Sequence, residues 1–215
     1  MKHKAFLKEI DYIKNDDYKK GVKILLDLLP DYFYEIAASS SGKYHPSYTL
    51  GSGGLVRHTK TAVRIAYELL NNKTTGFKFT EREKDLILIS LLLHDGLKHG
   101  NNNTKYAFNH PILVSNFIKE NKDKTEFSLD DIEFIRNAIE SHMGEWNTDF
   151  YGLEELPLPK NRYQRFVHMC DFLASRKFIN VEFENNEIKD WGGYIHERKI
   201  NSSRRNRLFW KRNAN

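Results

Sequence analysis

The chain has 215 residues, 40% hydrophobic and 29% charged, with 12 glycines and 5 prolines. That balance excludes a fibre or a disordered polymer and disfavours a many-turned β fold. The single Cys170 excludes an internal disulfide and any cysteine-based zinc site, and it fits a reducing compartment. The net charge of +5 is unevenly placed: between Arg198 and Asn215 stand seven basic residues and no acidic one, so the rest of the chain is slightly acidic.

In chain order the pattern is helical. Phe6, Leu7, Ile10 and Ile13 follow helical spacing, as do Val22, Leu25, Leu26 and Leu29, with Pro30 bending or splitting that segment. Residues 39–54, SSSGKYHPSYTLGSGG, read as a loop feeding a helix from about Leu55 to Asn71. Thr80 and Glu83 make a capping box before the run Leu86–Leu93, which has no polar face and so marks a central, buried helix ending near His94-Asp95-Gly96. Pro111 suggests a first helical turn after Asn109 or His110. Ser128 and Asp131 form a second capping box before Ile132, Ile135, Ala138 and Ile139. A last long helix is expected from about Arg162 to Phe178. Val181-Glu-Phe-Glu and Trp191-Gly-Gly-Tyr then suggest a hairpin or an irregular cover.

No signal-peptide-like stretch opens the chain, and Leu86–Leu93 is far shorter than the roughly 20 residues needed to span a bilayer. A cytoplasmic protein with no membrane attachment is therefore expected.

The nine histidines carry the chemistry. A single buried imidazole is more often a satisfied core residue than a ligand, but several on successive helices need another explanation. His94 and Asp95 close the most apolar helix, where an acid and an imidazole are costly unless compensated. A metal ion is one compensator. His58 precedes them, and His110, His142 and Asp171 follow. The gaps from His58 through His94, His110 and His142 to Asp171 are 36, 16, 32 and 29 residues, about one helix and one connection each. Each helix can thus bring one group to a common point. Six nitrogen and oxygen ligands are too many for one structural zinc, and they suit two neighbouring divalent ions.

The series His58, His94-Asp95, Asp171 resembles the H…HD…D signature of the HD-domain metal-dependent phosphohydrolases. The resemblance covers roughly Lys43 to Phe178, through GGLVRHT, LLLHDGLKHG and HMCDFLASRK. It implies an all-α fold: an HD-domain helical bundle over residues 41–180, an N-terminal helical segment (1–40) packed on it, and a small C-terminal extension with the basic tail (181–215). It also implies that His58, His94, Asp95 and Asp171 hold one metal, with Asp95 bridging. His110 and His142 match the extra histidines of the two-metal branch and would hold a second. Mn2+ is the expected ion, with Fe2+, Ni2+, Zn2+ or Mg2+ as alternatives. Lys98 matches the lysine of H-D-x-x-K and would bind a substrate phosphate. Asp95 and Lys98 are the expected catalytic residues.

Departures narrow the activity. The family branch that cleaves cyclic di-GMP carries a Gly-Tyr-Pro element after paired histidines, whereas here the text is His142-Met-Gly-Glu-Trp. SGKYHP and GGLVRHT are more similar to the HD domain of bacterial 3′-to-5′ exoribonucleases. The 40 or so residues before the loop leave no room for the OB domain of those enzymes. A phosphoester of a nucleotide or short nucleic acid is the expected substrate, and the basic tail is a candidate nucleic-acid contact. The alternatives are a di-iron oxygenase of the same superfamily and a non-catalytic binding module.

Other residues carry weaker expectations. Lys43 and Tyr44, in the loop before the His58 helix, are candidate substrate contacts, with Tyr44 stacking on a base. Arg176 and Lys177 are placed to meet substrate phosphate at the rim. Helical spacing keeps Arg57 and Lys60 from both facing the metal. His168 shares the face of Asp171 and reads as a packed histidine or, alternatively, a partner that supports a metal ligand, Cys170 as a small core residue, and Glu145 and Trp146 as cover for the pocket.

Overall fold

The computed structural model describes residues 1–39, 42, 45–101, 106–153 and 155–189. Lys43, Tyr44, the tetrapeptide from Trp191 and the basic tail lie outside these residues. Among the described residues there are eight α-helices and one two-stranded hairpin. None of these helices is long and apolar enough to cross a membrane.

A short 3-10 turn leads into α1 (Leu7–Asp11), and α2 (Asp16–Leu28) begins at Asn15, whose side chain accepts from the N–H groups of Asp17 and Tyr18. The buried Asp85 carboxylate accepts from the N–H groups of Lys14 and Asn15, both at 2.9 Å, and so ties this connection to the central helix. Pro30 separates α2 from the single turn α3 (Tyr32–Glu35).

Next come α4 (Gly54–Asn71), α5 (Glu81–Leu93), α6 (His110–Glu120), α7 (Leu129–Glu140) and α8 (Arg162–Ala174). The Thr80–Glu83 and Ser128–Asp131 capping boxes both close reciprocally, and a third forms between Asn161 and Gln164. The axis of the bundle is α5. Every residue from Asp85 to Leu93 is buried, and the helix packs against α2, α4, α7 and α8. Burying each leucine or isoleucine there contributes about 1.5–3 kcal/mol. Phe6, Ile10 and Ile13 from the N-terminal segment belong to the same core as Leu55, Ile89 and Ile135.

The structure shortens one expected element. Helix α8 stops at Ala174 instead of reaching Phe178. The Phe172 carbonyl, which the Arg176 N–H would need to extend the helix, instead accepts from the Ser175 hydroxyl at 2.7 Å and the Arg176 Nε–H at 3.2 Å. The C-terminal extension holds a hairpin in which strand β1 (Phe183–Glu184) pairs with β2 (Glu187–Ile188), while residues 191–194 of the expected cover lie outside the described residues. Asn185 and Asn186, at φ +51° and +64°, supply the positive φ values that a two-residue turn requires.

Candidate metal centre

Five separate elements deliver the site. His58 stands in the first half of α4, and His94 and Asp95 directly follow α5. His110 begins α6, His142 lies two residues beyond α7, and Asp171 is in the last turn of α8. His58, His94, Asp95, His110 and His142 are buried. They line, or lie directly behind, a cavity of about 900 Å3 whose walls include Asp95, Lys98, His110, His142 and Asp171. That volume falls within the range of small-molecule sites.

Three imidazoles are oriented in the same way. The Nδ1–H of His94 donates to the Leu91 carbonyl at 2.6 Å, that of His110 to Ala107 at 2.8 Å, and that of His142 to Ile139 at 2.7 Å. Each carbonyl lies three residues earlier in the chain. A carbonyl only accepts, so each Nδ1 carries a hydrogen and Nε2 is the atom left to turn inward as a ligand, as in metal-binding histidines. His58 also turns its Nε2 inward, 2.9 Å from Asp171 Oδ1, but among the described residues its buried Nδ1 has no hydrogen-bond partner.

Asp95 stands between two imidazole pairs. Its Oδ2 is 3.5 Å from His94 Nε2 and 3.8 Å from His58 Nε2. Its Oδ1 is 3.0 Å from His110 Nε2 and 3.8 Å from His142 Nε2. Lys98 Nζ sits 2.5 Å from Oδ2. Asp171 Oδ1 is 3.4 Å from His94 Nε2. Three overlapping groups can each surround one ion: His58-His94-Asp95, His94-His142-Asp171 and Asp95-His110-His142.

The donor set fits a divalent cation. Among the described residues the buried Nε2 of His94 has no hydrogen-bond partner. The Nε2 atoms of His110 and His142 are 3.3 Å apart, and with both Nδ1 atoms protonated neither can donate to the other. Ligands about 2.0–2.2 Å from one ion stand roughly 3–3.5 Å apart, close to the spacing seen.

The electrostatics agree. Burial alone would raise the Asp95 carboxyl, yet Lys98, His94 and His110 outweigh it and hold the group well below the usual carboxylate range. Asp171 behaves likewise, with His58 and His94 overcoming burial. Burial, reinforced by His94, pushes the His142 imidazole down to about 3, so it stays a neutral donor. His94 departs from this pattern: burial would lower it, but Asp95 and Asp171 outweigh burial and move it up, so without a metal the two carboxylates favour its protonated form.

Other expected residues separate. Arg176 lines the cavity, but its guanidinium lies against the Phe172 and Trp146 rings. Lys177 is exposed. Arg57 and Lys60 turn to the hairpin, reaching Asn186 and Glu187, and Lys60 is fully buried against Glu9 as well. His168 does more than pack: its Nδ1–H donates to the His142 carbonyl at 2.7 Å, bracing that ligand's backbone. Its ring also occupies the space a Cβ on Gly144 would need, 2.1 Å away, at a residue with φ +60°. Cys170 is buried with its thiol pushed up, so it is no nucleophile.

Sequence reasoning missed Phe172, Tyr106 and His99 as cavity-lining residues and assigned no role to His45, which also lines it. The position of Phe172 directly after Asp171 was the one available signal.

The family model described as HD domain matches residues 55–175. Comparison with curated proteins and with solved structures finds no match.

Proposed function

The chain belongs to the HD-domain family of metal-dependent phosphohydrolases, and on that premise we propose that it hydrolyses a phosphoester of a nucleotide or nucleic-acid end at a two-metal centre. The observation that carries the reading is Asp95, whose two oxygens face different imidazole pairs. That arrangement supports a bridging carboxylate between one site made with His58, His94 and Asp171 and another made with His110 and His142. Bound divalent ions supply Lewis acidity, lower the pKa of water and neutralise charge on phosphate.

The chain's own residues do the rest. His94, His110 and His142 hold their lone pairs in place through fixed carbonyl partners, so little reorganisation accompanies binding. Lys98, beside Asp95 and only slightly exposed, is positioned to hold a phosphate oxygen as a compact charge. Apolar side chains behind the site keep bulk water from its rear.

Product release from a panel of nucleotides, cyclic nucleotides and short DNA and RNA oligomers, with Mn2+ and with chelator, tests this reading. Manganese-dependent release from at least one phosphoester is expected. Binding without any release would move the reading to a non-catalytic module, and oxygen consumption by the iron-loaded protein would move it to an oxygenase.

A further inference from the structure

We propose that Trp146, Phe172 and Arg176 form a nucleobase-binding wall, which makes a single nucleoside phosphate the unit recognised at this centre. The inference rests on the phosphohydrolase reading and names the part of the substrate held away from the reacting phosphate.

The Trp146 and Phe172 rings are nearly parallel, 13° apart with centroids at 5.6 Å. The Arg176 guanidinium lies 4.2 Å from the Phe172 centroid and 5.5 Å from that of Trp146. It is not a swinging charge, because Ser175 Oγ accepts from Nη2 at 2.8 Å and the Phe172 carbonyl accepts from Nε at 3.2 Å. Scattered exposed aromatics need no explanation. Here, however, all three groups line the cavity that contains Asp95 and Lys98, and Trp146 remains 43% exposed. Planar, preorganised surface next to a phosphate-binding lysine suits an aromatic base.

Placement ties the wall to the centre. Phe172 directly follows Asp171, and Trp146 follows His142 by four residues through the turn at Gly144. Lys98 and the wall line one cavity, so the nucleoside of a phosphate held beside Lys98 would occupy the space that the wall borders. A cavity of about 900 Å3 suits one nucleotide better than a polymer track. Stacking accepts any base face, so the wall predicts recognition of the nucleoside with little discrimination among bases.

Calorimetric titration of the full manganese-loaded chain tests the wall by binding alone. The ligands are adenosine 5′-phosphonate, whose P–C bond ester hydrolysis does not cut, and methylphosphonate. The nucleoside ligand is expected to bind more tightly. Trp146→Ala should weaken it by between about fivefold and a hundredfold, and Trp146→Phe should recover most of the loss. Methylphosphonate should bind all three proteins alike. Equal affinity of the wild type for the two ligands, or unchanged nucleoside binding by Trp146→Ala, would overturn the wall. Loss of the phosphohydrolase reading would appear separately, as failure to release product from any phosphoester. A short oligonucleotide ending in the same phosphonate identifies the source: tighter binding than the mononucleotide assigns the wall to nucleic-acid ends, and weaker binding assigns it to free nucleotides.

Discussion

The Nε2 atoms of His110 and His142 face each other at 3.3 Å, each ring having already given its Nδ1–H to a backbone carbonyl. Two inward lone pairs at that distance repel unless a cation lies between them or one ring takes up a proton. Burial works against the proton at His142. A metal ion held by both rings would remove that repulsion, and the consequences of the proposed centre can be measured.

Metal removal should destabilise the fold. A cation that binds only the native state at a thousand times its Kd adds about 4 kcal/mol. For a chain of this size that corresponds to a rise in Tm of roughly 8–16 °C. Scanning calorimetry with Mn2+ and after exhaustive chelation reads the difference. Identical melting curves would show that the imidazole cluster is satisfied without metal.

The proposed role of Lys98 can be tested apart from metal binding. Lys98→Ala should lower kcat by about 10²- to 10³-fold, the cost of losing one preorganised donor, while metal content stays unchanged. Lys98→Arg keeps the charge and should recover part of the rate. A turnover number within twofold of wild type in Lys98→Ala would remove the lysine from the mechanism.

A stability prediction comes from Asp131, at the start of α7. Burial by itself would raise this carboxyl, but Ser128, Tyr18 and Arg82 outweigh it, with Tyr18 Oη donating at 2.9 Å and Arg82 at 2.5 Å. The folded-state pKa therefore lies below the unfolded one. The stabilisation is fully present above about pH 4 and is lost as pH falls through the folded value. Asp131→Asn should cost about 1–2 kcal/mol at pH 7 and less at pH 3, read by urea unfolding. An equal loss at both pH values would mean the charge contributes nothing.

Legibility in the sequence followed the range of the interactions. Two capping boxes, Thr80–Glu83 and Ser128–Asp131, were readable because they are local, and both close as reciprocal hydrogen bonds. The run Leu86–Leu93, interrupted only by Ser90, marked the central helix because both faces are buried. The end of α8 was misread because Ser175 and Arg176 capture the Phe172 carbonyl, a competition that periodicity does not register. At the site, His94-Asp95 stood out as polar groups closing an apolar helix. The bridging place of Asp95 came only from the family resemblance, since the way it divides its oxygens depends on how five elements meet. The aromatic wall was hidden for a similar reason: Gly144 turns the chain so that Trp146 reaches Phe172 across the gap between α7 and α8.

The measurement that bears most directly on the account is Asp95→Ala, assayed for bound metal and for turnover on the same protein. If Asp95 bridges two ions, metal content should fall from two per chain to one or none. Manganese-dependent phosphoester hydrolysis should disappear, while the circular dichroism spectrum stays that of a folded helical protein. A folded, metal-depleted Asp95→Ala that still hydrolyses the substrate at the wild-type rate would contradict the two-metal mechanism.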